Sequence, residues 1–471
     1  MDAAPSAACP PPPTDRQAAH LAGAQAPLAL LGVLLIAAGA LASIGTLEVI
    51  GPGGTDWGPW RFPFTLAFFF ATAAACTTVP SARVQIILAA SLIQLLAFQG
   101  PIKSIGALAI WSAFYGLVHL RASWWLKVPL MAGIWIAPIA VAALRPASGL
   151  FGILLVAHFA STFMLRAPLY AYEATKKKDQ MKGVGYGRYL LYLIAVPLSA
   201  VKAEPVGFLA LHRGLRSAVD PDLMRRGVAQ MALGLAYLTS REIGLRWGIL
   251  VSGRAVAAAA DDLNALTVLV GAHLGLLEFF LSVAGHIHLG IGMLRVLGFD
   301  IMPGSDAPYA SRNVLDWWRR WNVWFRDWLL ALGYYPVVMR LKRRPYVAVA
   351  VAGAFVFLLS GFAHAMLHTL RNPRAATWEL VVGTHLTFVA QGALVVVWMM
   401  REAVQVRRRG ARRAGAAAAA TPPAPWAFLR RFVFAAVTAT VIALVMILFN
   451  PPLGFPSPAA WRTLAALTRV G

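Results

Sequence analysis

Cysteine is nearly absent from this chain: Cys9 and Cys76 stand alone among 471 residues. Two thiols cannot form a disulfide framework or a cysteine-built zinc site. Cys9 lies in a proline-rich stretch, and Cys76 reads as a small apolar residue of a span. Charge is scarce as well, at 13% of residues against the roughly 25% of a soluble domain. With 59% hydrophobic residues and a mean hydropathy of +0.66, the class is a polytopic, all-α membrane protein. Acidic residues are the scarcest: 19 against 42 lysines and arginines, a net charge of +23. The cations sit in short loops between apolar runs, which is the positive-inside pattern and not a nucleic-acid footprint. No internal repeat of the kind that marks many transporters is present. No signal peptide fits either, because the first apolar run begins near Ala26 without a basic segment directly before it.

Residues 1–25, with Pro10 to Pro13 in a row, read as a disordered cytoplasmic tail, and 453–471 as an extracytoplasmic one. Between them, 26–452 form the transmembrane body. Runs that suit the bilayer lie near 26–50, 62–79, 84–99, 105–120, 127–144, 149–167, 228–252, 265–285, 346–370, 378–400 and 430–449. The short run 189–201, between basic loops, reads as interfacial. Lys176–Lys178, Lys202–Arg226, Arg340–Arg344 and Arg407–Arg413 mark cytoplasmic loops, so about eleven spans put the N-terminus inside and the C-terminus outside. Arg241 and Glu242 interrupt the 228–252 run. They pair with each other, pair with a neighbouring helix, or mark a broken helix lining a cavity.

Two segments carry chemistry. The first holds Trp317, Trp318, Trp321, Trp324 and Trp328 interleaved with Arg312, Arg319, Arg320 and Arg326. By composition alone it is an interfacial amphipathic helix. The second is Ser360-Gly361-Phe362-Ala363-His364-Ala365, which places a histidine at membrane depth, about 27 Å along a helix starting near 346. That histidine could simply bond a neighbouring backbone group. His364 and His368 also have metal-ligand spacing, with His286 and His288 as further ligands. However, no Glu follows His364 and the chain has no His-His pair, so metalloprotease and di-iron patterns fail.

The run Leu297-Gly298-Phe299, then Pro308-Tyr309, Arg312 and Trp318-Arg319-Arg320-Trp321, resembles the bacterial branch of the membrane-bound O-acyltransferases. That branch acylates alginate, other exopolysaccharides or teichoic acids. Ser360 to Ala365 is similar to the family's second motif, a small-residue stretch before the invariant histidine. The likeness covers about 265–400. Asn322 stands where the bacterial branch usually has histidine, as in the eukaryotic lipid acyltransferases; Ala363 and Ala365 also depart from the pattern.

The resemblance implies transfer of an acyl group from a thioester donor such as acyl-CoA to a hydroxyl of a polysaccharide, glycolipid or lipid. It implies no tightly bound cofactor and no metal, and it is compatible with a soluble or periplasmic partner protein. It makes His364 the general base and Asn322 its support, with Trp318, Arg319, Arg320, Trp321 and Ser360 binding substrate. The rivals are a transporter or flippase for a lipid-linked or polysaccharide substrate, and a family member that has lost catalysis and serves as an assembly subunit. Reporter fusions after Lys178, Lys202, Arg344 and Arg413 are expected to read as cytoplasmic, and one near Arg374 as external. Opposite faces for the 344 and 413 fusions would break the two-span hairpin that carries His364.

Overall fold

The computed structural model describes residues 13–43, 61–144, 148–159, 163–194, 207–252 (without 217), 263–371, 378–413 and 426–448, with isolated positions between 255 and 259. The expected tail 453–471 and residues 1–12 lie outside them. Helices account for nearly all of it: α1 Pro13–Ser43, α2 Arg61–Thr78, α3 Arg83–Gln99, α4 Pro101–His119, α5 Trp124–Leu144, α6 Gly149–Phe159, α7 Phe163–Lys176, α8 Tyr186–Ile194 and α9 Phe208–Gly214. Then follow α10 Pro221–Arg246, α11 Ala265–Val296, α12 Val314–Arg320, α13 Val323–Leu329, α14 Tyr335–Arg340, α15 Pro345–Arg371, α16 Trp378–Arg413 and α17 Trp426–Leu448. α1 takes in residues 13–25 of the stretch expected to be a tail.

Local signals place the helix ends. Gly100, at φ +76°, closes α3, and Pro101 opens α4, since glycine adopts the left-handed region freely and proline lacks only an N–H that would be unpaired there anyway. Asp220 caps α10 by accepting from the N–H groups of Asp222 (3.1 Å) and Leu223 (3.0 Å). Among the described residues, five helical stretches are long and apolar enough to cross a bilayer: Pro80–Gln99, Pro101–His119, Leu266–Val296, Pro345–Met366 and Val381–Gln405. Gly149–His158 and Phe163–Lys176 make a sixth if this pair, bent by 56°, counts as one span. Other expected spans coincide with shorter apolar helices, Gly23–Ala38, Phe64–Thr78, Trp125–Pro138 and Val433–Val445, whereas the run expected at 228–252 falls on α10, which is in neither group. The polytopic all-helical class stands, while these helices do not by themselves establish eleven crossings.

Glycines bring two helix pairs into backbone contact. On α10, Gly227 and Gly234 face Gly292 and Gly285 of α11, a spacing of seven on both helices. A Cβ on Gly234 would sit 2.6 Å from the Leu289 nitrogen and 2.7 Å from the Gly285 oxygen. Small residues at a membrane helix interface permit this approach. Polar groups then clasp the pair: Gln230 bonds His288, and Arg295 donates to Gln230 (3.1 Å) and to the Ile301 carbonyl (2.8 Å). In the α15/α16 pair, Gly392 faces Phe357, and Gly361 lies against the backbone of His385.

At one end of α11, an isolated antiparallel bridge joins Leu215 to Phe299. Buried Arg83 holds that junction by donating to the carbonyls of Arg216 (2.8 Å) and Ala218 (3.1 Å). The chain can leave α11 sharply only because Gly298, at φ +93°, has no Cβ to strike the Arg83 guanidinium. Gly234→Val is expected to cost about 1–3 kcal/mol through overpacking against backbone. Its melting temperature in detergent should fall well below that of Leu233→Val, which alters a side chain that is 40% exposed. Equal melting of the two variants would count against the close helix approach.

Candidate active site

After Gly298 the chain returns along the bundle and forms two short helices, α12 and α13, that meet at Trp321 and Asn322. Asn313 caps α12, accepting from the Asp316 N–H (2.8 Å). Asp316 in turn accepts from the Arg312 N–H (3.0 Å) and the Arg320 Nε (3.2 Å). Burial pushes the Asp316 carboxyl up, but these donors and the two positive charges outweigh it and hold it below its ordinary value. Asn322 has φ 42° and ψ 63°, a left-handed conformation in which asparagine is several-fold enriched. Its Oδ1 accepts from the Phe325 N–H at 3.0 Å, so it caps α13. That contact also assigns the amide, because the atom facing an N–H must be the oxygen. The turn is stitched to the preceding strand-like segment by Val323 N–H to Gly304 (2.7 Å) and Asp306 N–H to Arg320 (2.9 Å).

His364 arrives from α15. Its Nδ1 lies 2.9 Å from the Ser360 carbonyl, one turn earlier. A carbonyl only accepts, so Nδ1 carries a proton in this contact. The ring is set between Phe325 (centroids 5.3 Å apart, edge-on) and Phe388 of α16 (4.5 Å). Phe325 therefore serves both groups: its backbone holds Asn322 and its ring holds His364.

Asn322 and His364 line one cavity of about 600 Å³. Its walls are mostly apolar, with Leu276, Phe279, Phe357, Phe388, Val395 and Ile442 drawn from four helices. Two polar atoms in it, Ser360 Oγ and Trp318 Nε1, are buried without a hydrogen-bond partner among the described residues. Such atoms are costly in an apolar wall unless something else satisfies them. Of the residues singled out from sequence, Trp318, Arg319, Trp321 and Ser360 also line the cavity, and Arg320 does not. Arg320 is engaged by Asp316 and by Asp306 (3.4 Å), where it ties the 304–306 segment to α12. Arg319 makes a two-point pair with Glu402 of α16, at 3.1 and 2.7 Å.

The open question over Arg241 and Glu242 has a structural answer. α10 is continuous through them, and Arg241 Nε meets Glu278 of α11 at 2.5 Å, whereas its approach to Glu242 is 3.9 Å. Glu278 lines the cavity. Sequence reasoning missed it, although it is the one acidic residue of the 265–296 run and the rule applied to Arg241 would have found it. Gln391, buried in the cavity wall on α16, was missed for want of any motif. Among the described residues, no three His, Cys, Asp or Glu side chains gather as a metal site. His286 Nδ1 meets the Ser282 carbonyl at 2.6 Å and His288 bonds Gln230; the side chain of His368 lies outside the described residues.

No protein-family model matches the chain. Curated relatives do match in part. Over 161 residues, 33% of this chain, it is 32% identical to the long-chain-alcohol O-fatty-acyltransferase of Simmondsia chinensis, covering 45% of that protein. Over 152 residues it is 26% identical to the probable alginate O-acetylase AlgI of Pseudomonas aeruginosa, covering 27% of this chain and 29% of that one. Over 92 residues it is 26% identical to the teichoic acid D-alanyltransferase of Bacillus subtilis, covering 18% and 23% respectively. The chain thus spans less than half the length of each of these relatives. The motifs and these partial matches point the same way: the matched stretches are similar to members of the membrane-bound O-acyltransferase family.

Proposed function

We propose that the chain is an O-acyltransferase that moves an acyl group from a thioester donor, such as acyl-CoA, to a hydroxyl acceptor. One observation carries the reading. Asn322 and His364, far apart in sequence and on different helices, line the same apolar cavity, and the Ser360 carbonyl engages the histidine through Nδ1. An alcohol is a weak nucleophile and needs a base within hydrogen-bond reach. His364 Nε2 takes the hydroxyl proton as the oxygen attacks the thioester carbonyl carbon. The tetrahedral intermediate collapses, the C–S bond breaks, and the departing sulfur takes the proton back from His364. With Oδ1 committed to the α13 cap, the Asn322 Nδ2 group is the part of the amide that donates to the developing oxyanion or to the donor. Low polarity around the cavity strengthens any such donor.

The wider reading goes with this one. The protein resides in a bacterial cytoplasmic membrane with about eleven crossings, N-terminus inside and C-terminus outside, and the donor reaches His364 from the cytoplasmic face. A soluble or periplasmic partner would deliver or receive the acceptor.

His364→Ala is expected to abolish acyl transfer while the protein still inserts, a loss of about 10²–10⁴-fold for a general base. A loss under about tenfold, measured with labelled acyl-CoA in proteoliposomes, would reduce His364 to a packing residue.

Asn322→Ala is expected to lose roughly 10- to 1,000-fold. It removes both the amide and a residue suited to positive φ, so Asn322→Gly, which relieves the backbone alone, should recover stability without recovering the rate. Asn322→His should retain activity, since histidine is also enriched at positive φ. An inactive but well-folded Asn322→His would mean that the amide itself is required.

A further inference from the structure

One polar group in the cavity wall has no partner and no role in the proton transfer. Gln391, on α16, is 4% exposed and lines the cavity. Its amide makes no hydrogen bond with the described residues, and it is not sealed off as Ser360 Oγ and Trp318 Nε1 are. An apolar side chain would suit this wall better, since a buried amide costs free energy unless something bonds it. Filling such a spot with a ligand displaces its hydration. Affinity is then lost unless the ligand carries a polar group at the same place. Gln391 therefore constrains the ligand. An all-methylene chain leaves the amide unpaired, whereas a hydrogen-bonding group beside it does not.

The pairing of α15 with α16 fixes where Gln391 stands. The two helices run antiparallel. His364 meets Phe388 (4.5 Å between ring centroids), Gly392 faces Phe357, and Gly353 faces Val396 and Met399. Further along, Glu402 takes Arg319 in its two-point pair. Gln391 is three residues past Phe388, about 4.5 Å along the helix, and Glu402 is fourteen past it, about 21 Å. Arg319 and Arg326 line the cavity yet are 51% and 31% exposed, so the cavity comes to the surface at this end. Arg340, Lys342, Arg343 and Arg344 stand just before α15, at its Gly353 end, and form no ion pair among the described residues. On the acyltransferase reading, a donor with anionic phosphates lies along this line, its thioester at His364 and its phosphates toward the cations. The first polar group past the sulfur of a pantetheine arm is an amide, two methylenes away. The arm thus carries that amide to the level of Gln391.

We propose that Gln391 is a donor-specificity residue: its amide hydrogen-bonds the pantetheine amide nearest the thioester sulfur, and so selects pantetheine thioesters over plain alkyl thioesters. The proposal rests on the acyltransferase reading and adds to it which part of the donor the cavity recognises. The bond forms in the bound donor and is kept in the transition state, so it acts on KM more than on kcat.

The test uses full-length protein in nanodiscs, with maltohexaose and 1-hexadecanol supplied together as acceptors and thiol release as the readout. Two small acetyl donors of equal length are compared: S-acetyl-N-acetylcysteamine carries the amide, and S-pentyl thioacetate does not. Wild type should prefer the first in kcat/KM. Gln391→Met, which keeps the side-chain length, should raise KM for the first donor about 10-fold, as for loss of one buried hydrogen bond. KM for the second donor should stay nearly unchanged. Gln391→Leu should behave alike, and because KM does not depend on how much protein folds, partial misfolding does not mimic this pattern. Binding of S-propyl-CoA, an unreactive thioether with the same arm, should weaken about 10-fold in both variants. An equal rise in KM for both donors would overturn the proposal, because Gln391 would then serve packing alone. Unchanged KM and unchanged S-propyl-CoA affinity would overturn it too, as would a change confined to the acceptor KM. Each of these results leaves the acyltransferase reading intact. If wild type releases thiol from acetyl-CoA no faster than His364→Ala, that reading falls and the proposal falls with it.

Discussion

The site depends on the hydrogen bond from the Phe325 N–H to Asn322 Oδ1. It closes a left-handed turn that allows α12 to end and α13 to begin within two residues, so that one aromatic-rich segment folds back inside the bundle. Without the turn, Phe325 would not be placed to hold the His364 ring, and Trp318 would lose its position against Phe357. The conformation also accounts for the residue types that resemblance finds at this position. Asparagine and histidine both tolerate positive φ, so backbone geometry and chemistry select from the same short set.

The cavity around this turn is built by contrast. Its wall is largely apolar, and the few polar groups in it are held in defined orientations. His364 is held through Nδ1 by its own helix, Asn322 through its cap, and Glu278 through Arg241 of the neighbouring helix. In each case one atom is committed to structure, which sets the direction in which the remaining polar atoms point. Such a cavity would limit reorganisation during the proposed acyl transfer, because its dipoles are already in place.

The helix pairs supply the rigidity that such orientation needs. Backbone contact through Gly227, Gly234, Gly285 and Gly292 sets the spacing of α10 and α11, and with it the Arg241–Glu278 distance. The α15/α16 contact at Gly361 and Gly392 does the same for His364 and Phe388. Membrane helices gain little from burying apolar surface against one another, so close approach and interhelical polar bonds must provide the specificity.

Much of this was legible in the sequence. Hydropathy and scarce charge gave the all-helical membrane class, because a backbone in lipid must satisfy its own hydrogen bonds. The motif around Trp318–Trp321 and the isolated His364 stood out because polar residues in an apolar context are costly. Their meeting in one cavity was not legible, since it depends on a turn and on helix packing that no local pattern encodes. The same holds for Arg320, whose motif position suggested substrate, whereas the fold gives it Asp306 and Asp316 as partners. Arg241 was visible as an anomaly, but its partner was not: Glu278 lies 37 residues further along and becomes its neighbour only when α10 and α11 pack through glycine. Sequence alone determined which residues were too polar for their surroundings. The tertiary structure decided which of them share a cavity, because that is set by backbone approach between helices distant in the chain.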